Sequence, residues 1–485
     1  MEIFVILGMP ALLAITAFFI KKPRIIGIVS SCVYLLVLAA SILLLKNVLS
    51  SGSVSMCADF IHLDILSAFF IFVIAVVTFA AALYSIGYID KDIRQGILTE
   101  KKARVYYVLS NLFCCSMFFV PAVNNLGLLW VAIEMTTLIS AFLVGFYNSK
   151  ESIEAAWKYI IICSVGIIFA LLGTIIFSYA FLVSTGTKSL NWSDMVTSAA
   201  SMDINMLKIA FIFILVGYGT KAGLAPMHTW LPDAHSQAVA PISALLSGVL
   251  LKTAVYAILR FGIIVIKGVG FAYFSHLMVL LGLISLVVSS GFILVQKDLK
   301  RLLAYSSIEH IGIISIGFGL GAPAAVAGAA VHILNHAVAK SLMFFGAGNI
   351  VSTYKNHNIH VIRGVMKVLP FSGFMVLMGV FALTGFPPFS IFISEIFIII
   401  AAFSSGSYWI AALLLLFLTV IFGAFIYHFG KMLFGNLPKG MVPKSEPLSG
   451  KIAFLFLTVI ICSVGIIMLI LKKDLLWIAE RLLQG

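Results

Sequence analysis

Long apolar runs, separated by short polar segments, recur along the whole chain, and each run of roughly 18 to 28 residues is long enough to cross a hydrocarbon core about 30 Å thick. This pattern predicts about fourteen transmembrane helices, near 3–20, 25–46, 65–87, 105–122, 124–146, 154–183, 205–226, 239–265, 271–294, 302–319, 322–351, 368–402, 406–433 and 451–471. The expected fold class is an all-α polytopic membrane protein. Composition agrees: 62% of the 485 residues are hydrophobic and 10% are charged. The longest polar stretches, 88–107 and 434–451, are too short for a soluble domain.

Charge adds orientation. Assigning the loops alternately to two sides puts about 19 Lys/Arg on the side of the first loop and about 7 on the other, with about 5 inside spans, out of 31. Both termini are therefore expected to face away from the cytoplasm. The net charge of +13 follows from this loop bias, and no dense basic stripe suggests nucleic-acid binding. The first run reads as a retained span, because Glu2 stands where a signal peptide has basic residues and "KKPR" follows it. The cysteines Cys32, Cys57, Cys114, Cys115, Cys163 and Cys462 form no C-x-x-C pair, so packing roles are expected and no metal or cofactor is.

Two spans are interrupted alike. "KAGLAP" around Gly223 and Pro226 and "LTGFPPF" around Gly385 and Pro388 both place Gly-X-X-Pro inside a long apolar run. Broken helices in corresponding positions are the mark of a transporter repeat, and a repeat with an odd number of spans inverts its orientation. The expected organisation is a three-span segment over 1–104, five-helix repeats over 105–265 and 266–433, and a last span with a short interfacial tail over 434–485. That tail, "KKDLLWIAERLLQG", includes Leu483 on its apolar face.

Charged groups in the bilayer interior are costly, so those that remain need partners or water. Glu134 lies about ten residues from either end of its span, too deep for a short carboxylate to snorkel. It is either a protonated, hydrogen-bonded bundle residue or an ionisable group paired with a lysine. Lys221 precedes the first break, where freed carbonyls can hold water or a cation. His228 and His235 follow, and a structural role for either is as good a reading as proton transfer. Lys252 is again at mid-span and can act as a proton carrier. His332, His336 and Lys340 stand at i, i+4 and i+8 on one helix face, where three ionisable groups can pass a proton through bridging waters. Zinc is the competing reading for H-x-x-x-H, but no H-E-x-x-H pattern accompanies it. Glu395 lies two turns beyond the second break. Weaker candidates are Lys158, near a span start, and the adjacent Glu309 and His310; His428 and Lys431 read as interfacial.

The stretches "WVAIEMTTLISAFLVGF", "KAGLAPMHTWLPDAHSQA", "PISALLSGVLLKTAVYAILRF", "VHILNHAVAKSLMFFGAG" and "GFPPFSIFISEIF" resemble the antiporter-like proton-pumping subunits shared by respiratory complex I, multi-subunit sodium/proton antiporters and group-4 membrane-bound hydrogenases. The resemblance covers roughly 60–435, and "SIEAAWKYIIICSVGII" is most similar to the hydrogenase-4 F branch and its formate-hydrogenlyase relatives. It implies Glu134 and Lys221 as a modulating ion pair, Lys252 as the central proton site, His332, His336 and Lys340 as a relay, and Glu395 as the terminal site. It also implies a prokaryotic cytoplasmic membrane, other membrane subunits and a peripheral hydrogenase or dehydrogenase arm as partners, protons as the ion with sodium as the alternative, and no catalytic residue or cofactor in this chain. A sodium/proton antiporter subunit and a structural anchor are the alternative functions. Three departures stand out. Glu395 replaces the lysine usual in the antiporter branch, only about fifteen residues follow the last span where the distal complex I subunit has a lateral helix, and Val239 stands where relatives usually carry proline.

Overall fold

The computed structural model describes residues 2–56, 59–437 and 440–482. Cys57 and Leu483 lie outside the described residues. Helices α1 (Glu2–Thr16) and α2 (Pro23–Ser51) are followed by a two-stranded antiparallel ladder, β1 (Val54–Met56) and β2 (Ile61–Leu63), with Val54 opposite Leu63. Then come α3 (Ile65–Arg94), α4 (Glu100–Phe119), α5 (Leu126–Val144), α6 (Lys150–Thr185), α7 (Trp192–Ser198), α8 (Ile204–Ala222), α9 (Trp230–Gln237) and α10 (Ala240–Leu245). α10 continues through a π-helical turn over Leu246–Leu250 into α11 (Leu251–Gly268). The rest of the chain forms α12 (Phe271–Val295), α13 (Leu299–Leu320), α14 (Pro323–Tyr354), α15 (Val365–Val368), α16 (Pro370–Leu383), α17 (Ser390–Ser404), α18 (Tyr408–Phe434), α19 (Leu448–Ile470) and α20 (Lys472–Leu482).

Local sequence sets these boundaries. The side chains of Asp64, Thr99, Asn125, Ser149, Asp203 and Asp298 each accept a backbone N–H in the first turn of the helix that follows. Pro23, Pro323 and Pro370 open helices where a missing N–H costs nothing. Gly186, Gly223 and Gly321 end helices in the left-handed conformation.

The polytopic helical class is what the pattern predicted, with three differences in detail. Among the described residues, eleven helices are long and apolar enough to cross a membrane, and Glu2–Thr16, Pro370–Leu383 and Ser390–Ser404 are apolar but shorter. The expected span 368–402 is therefore two helices, because the Gly/Pro cluster of 385–388 ends one and delays the next. The ladder before α3 is an addition to the all-helical expectation. The tail helix α20 packs on α14, with Ala479 and Leu482 buried.

Burial divides the helices into centre and periphery. The apolar stretch of Leu299–Leu320 is 100% buried and that of Ala240–Gly268 94%, against 33% for both Tyr408–Phe434 and Leu448–Ile470. α11 and α13 are thus core helices, while α5 and α6 expose Phe142, Trp157, Ile161 and Ile168 as lipid-facing helices do. Small residues let the core helices approach closely. A Cβ on Gly312 of α13 would stand 2.8 Å from the Gly282 carbonyl of α12, and one on Gly282 would stand 2.7 Å from the Gly312 carbonyl. Neither backbone can move aside. Gly312→Val is expected to destabilise the bundle by about 1–3 kcal/mol and to lower the thermal unfolding midpoint of the purified protein. Gly291→Ala, where nothing lies within 4 Å of the added carbon, is expected to leave it in place.

Candidate functional site

The first break is built by residues that satisfy the backbone it disrupts. Gly223 turns at φ +80°, the Thr220 carbonyl accepts the indole N–H of Trp230 at 2.8 Å, and the Ala225 N–H donates to Ser285 Oγ at 3.0 Å. The freed carbonyl thus has a protein partner. At the second break Gly385 turns at φ +62°, and Asn335 of α14 donates to the Ser390 carbonyl at 2.9 Å. Both breaks carry a cis prolyl bond, Ala225–Pro226 and Pro387–Pro388. The loop after α9 is ordered without proline at 239: the Val239 carbonyl accepts the N–H groups of Ile242 and Ser243 at 2.8 and 2.9 Å and starts α10.

Lys221 is fully buried, and its ammonium donates to Thr137 Oγ1 at 2.8 Å and to the Tyr159 hydroxyl at 2.7 Å. The Tyr159 ring lies 4.9 Å away and the Tyr159 hydroxyl also meets Ser140 Oγ at 2.7 Å. Glu134 sits one turn from Thr137 on α5, half-buried, and accepts from Ser164 Oγ of α6 at 2.9 Å. Among the described residues no direct ion pair joins Glu134 to Lys221. The two groups are thus near each other without a direct contact: Lys221 is held by Thr137 and Tyr159, and Glu134 by Ser164 of α6.

Lys252 and Lys340 are both fully enclosed, and each ends on oxygen atoms near one junction of three helices. The Lys252 ammonium donates to the Ser247 carbonyl inside the π-helical turn. Ser247 Oγ lies 2.7 Å from Ser307 Oγ of α13. The adjacent Ser306 Oγ accepts from Lys340 of α14, which also donates to the Leu303 carbonyl at 2.7 Å. Close approach of the backbones makes this possible, since a Cβ on Gly248 would stand 2.9 Å from Ser341 Oγ and 3.2 Å from the Ala337 carbonyl. Ser306 Oγ, Ser307 Oγ and Lys340 all donate to the Leu303 carbonyl, so the two lysines meet one serine cluster, Lys252 through the Ser247 backbone carbonyl and Lys340 through Ser306.

Beyond Lys340 the histidines cluster, but not in the order of their spacing. The His332 and His336 ring centres are 6.5 Å apart, and His310 of α13 lies between them, 5.1 Å from His332 and 4.5 Å from His336. His310 Nδ1 and His332 Nε2 are 2.9 Å apart, and His332 Nδ1 meets Ser394 Oγ at 2.9 Å. Ser394 precedes Glu395, whose carboxylate lies against Gly385 in the second break. Glu309, Glu395, His310 and His336 each keep at least one buried polar atom with no hydrogen-bond partner among the described residues. His310, His332 and Glu395 bring one donor atom each within 4.8 Å of one another. This is not the H-x-x-x-H set that the zinc reading considered. His310 Nδ1 and His332 Nε2 are within hydrogen-bond distance of each other, so one proton can be shared between the two rings.

Of the remaining candidates, Lys158, His228, His428 and Lys431 lie apart from this row. Lys158 is at the surface, 2.7 Å from Glu154 and 3.4 Å from Asp233, to which Arg301 also pairs at 3.1 Å. His228 is buried in the first break beside Tyr305. His428 reaches the Leu294 carbonyl at 3.3 Å, and Lys431 reaches the Tyr427 hydroxyl at 2.6 Å. His235, on the loop side of the first break in the sequence, is fully buried, stacked 5.2 Å from Phe344, with neither ring nitrogen bonded among the described residues. Ser247, Ser306 and Ser307 carry no sequence signal, since a serine in an apolar helix stands out only by small size, and His310 is on a different helix from the spaced pair His332 and His336. The described cysteines Cys32, Cys114, Cys115, Cys163 and Cys462 are free thiols.

A bundle of membrane helices with a buried row of ionisable groups beside two helix breaks defines a polytopic ion-handling membrane subunit. Comparison with known proteins makes this specific. The family described as NADH:quinone oxidoreductase/Mrp antiporter, transmembrane, matches residues 123–422, and that of the N-terminus of complex I chain 5 matches 49–96. The chain belongs to the NADH:quinone oxidoreductase/Mrp antiporter family. It is similar to the hydrogenase-4 component F homolog of Methylacidiphilum infernorum (isolate V4), at 38% identity over 384 residues, which is 79% of this chain and 80% of that one. It is 32% identical over 348 residues to hydrogenase-4 component B of Escherichia coli (strain K12), covering 69% of this chain and 50% of that longer relative. A chain of the membrane-bound sulfane sulfur reductase, an archaeal respiratory membrane complex, shares the fold with a TM-score of 0.86 at 25% identity, over 100% of this chain and 98% of that one.

The contact between Gly385 and the Glu395 carboxylate leaves no room for a side chain. Gly385→Ala is expected to lower the thermal midpoint through a left-handed penalty of about 1–2 kcal/mol plus displacement of the carboxylate. Alanine at Gly406, also at positive φ but with nothing within 4 Å, is expected to show only the first part.

Proposed function

We propose that the chain is the proton-translocating, non-redox membrane subunit of a respiratory-type complex of the group-4 hydrogenase, formate hydrogenlyase or NADH:quinone oxidoreductase kind. The observation that carries this reading is the enclosed set of two neighbouring groups, Lys252, Ser247, Ser307, Ser306 and Lys340 in one and His336, His310, His332, Ser394 and Glu395 in the other. Each ionisable member can accept and release a proton, and the serines can hand hydrogen bonds between them. A histidine pair linked nitrogen to nitrogen passes protons and not alkali cations, which favours protons over sodium.

In this reading Glu134 and Lys221 tune the path through Thr137 and Tyr159, Lys252 is the central carrier, Lys340 and the three histidines relay, and Glu395 is the terminal site. Moving one charge against 100 mV costs about 2.3 kcal/mol. Electron transfer in partner subunits would supply it, through other membrane subunits and a peripheral hydrogenase or dehydrogenase arm. The setting is a prokaryotic cytoplasmic membrane with both termini facing away from the cytoplasm, and the two broken helices would sit in corresponding places of two inverted five-helix repeats. An anchoring role alone gives no reason to retain so many enclosed ionisable groups.

Two outcomes test this in the assembled complex. Lys252→Ala is expected to abolish electron-transfer-driven acidification of inverted vesicles, followed with a pH-sensitive dye; pumping at the unsubstituted level would refute the mechanism. His310→Ala is expected to slow pumping by about 10²-fold, the scale for losing a positioned proton-transfer group, although the sequence spacing alone would leave His332 and His336 as direct neighbours.

A further inference from the structure

Lys252, Tyr256 and Arg260 stand at i, i+4 and i+8 on α11, so one stripe of polar side chains runs from the central lysine toward the end of the bundle that carries the β1–β2 ladder. Left open, that stripe would be a direct way out of the core. It ends instead in the most densely bonded cluster around any described charge. The Arg260 guanidinium, with its side chain 4% exposed, donates to both Asp64 oxygens at 2.5 and 2.6 Å, to Ser67 Oγ at 2.6 Å and to the Tyr256 hydroxyl at 2.8 Å. It lies 4.2 Å from the centre of the Trp192 ring and 4.9 Å from that of Tyr256. The Trp192 indole donates to the Arg260 carbonyl at 2.9 Å. Tyr256 in turn meets Ser67 Oγ at 3.0 Å and donates to the Pro121 carbonyl at 3.2 Å. Asp64 also caps α3 by accepting from Ser67 N–H at 2.9 Å.

Proton hopping needs groups that can both take and release a proton, and hydroxyls free to turn. Arginine stays protonated in proteins and has no acceptor. Here four of its five N–H groups are committed, and the tyrosine hydroxyl beside it is held on three sides. Trp192 covers the guanidinium face, where water would otherwise sit.

We propose that Asp64, Arg260, Tyr256 and Trp192 form a proton-tight seal at the ladder end of α11, closing the direct way out from Lys252 and leaving the sideways step toward Lys340 as the open one. This rests on the reading of Lys252 as a proton carrier.

The test is passive proton permeability of the assembled complex in liposomes, after an imposed pH step and without an electron donor. Arg260→Gln is expected to raise the leak severalfold. Arg260→Lys, which keeps the charge but cannot make the same four bonds, is expected to raise it less and serves where the glutamine variant fails to assemble. A cluster that only fastens the ladder to α11 would lower thermal stability and leave the leak unchanged. An assembled variant as proton-tight as the unsubstituted complex overturns the seal. Adding Lys252→Ala to the leaking variant is expected to close the leak again. If the leak persists in that double variant, the route through Lys252 is wrong, an outcome distinct from failure of the seal itself.

Discussion

Placing ammonium, imidazole and carboxylate groups inside an apolar helix bundle is the constraint that organises this protein. Each such group must find donors or acceptors within the bundle, because lipid offers none. Lys221 is held by a threonine and a tyrosine, Lys340 by a serine and a carbonyl, and Lys252 by a carbonyl of its own helix. None of the three is held by a carboxylate among the described residues. Neutral partners leave these lysines able to change protonation state without breaking an ion pair. Arg260, by contrast, is locked to Asp64. The bundle thus separates charges that can change from one that cannot.

The placement of these groups follows from helix packing. α11, α13 and α14 meet at glycine and serine positions, so the side chains of Ser247, Ser307 and Ser306 lie within hydrogen-bond reach of one another or of Lys340. The same economy of size operates at Gly282 and Gly312, where carbonyls replace side chains as the contact surface. In a membrane, where apolar surface gains little by leaving lipid, small residues do the joining. They also make room for the ionisable row.

Much of this was legible in the chain. Apolar run length located the helices, and the isolated Lys252, His332, His336, Lys340 and Glu395 marked the region that the structure encloses. What the sequence did not carry was contact across helices. Spacing of i and i+4 suggested that His332 and His336 communicate through bridging waters, whereas their ring centres are 6.5 Å apart and His310 from α13 approaches each more closely. Opposite charge suggested that Glu134 and Lys221 pair, whereas rotation about their helices points the first at Ser164 and the second at Tyr159. The serines and Arg260 with Asp64 are visible only once distant segments are brought together, since Asp64 and Arg260 are separated by 196 positions. The expected span 368–402 erred for a different reason: hydropathy registers the apolar Phe and Leu around Gly385, but not the loss of helical hydrogen bonds there.

The π-helical turn over Leu246–Leu250 sets where the central lysine points. Such a turn amounts to one residue more than an α-helix needs, and each residue turns the helix by about 100°. Everything after it on α11, Lys252, Tyr256 and Arg260 together, is therefore oriented as a block by that single extra position. Loss or gain of one residue there would swing the central charge off the Ser247–Ser307 junction while leaving every named side chain present. In this fold, the difference between a conducting and a silent subunit can thus reside in helix phase, with no change in the inventory of ionisable residues.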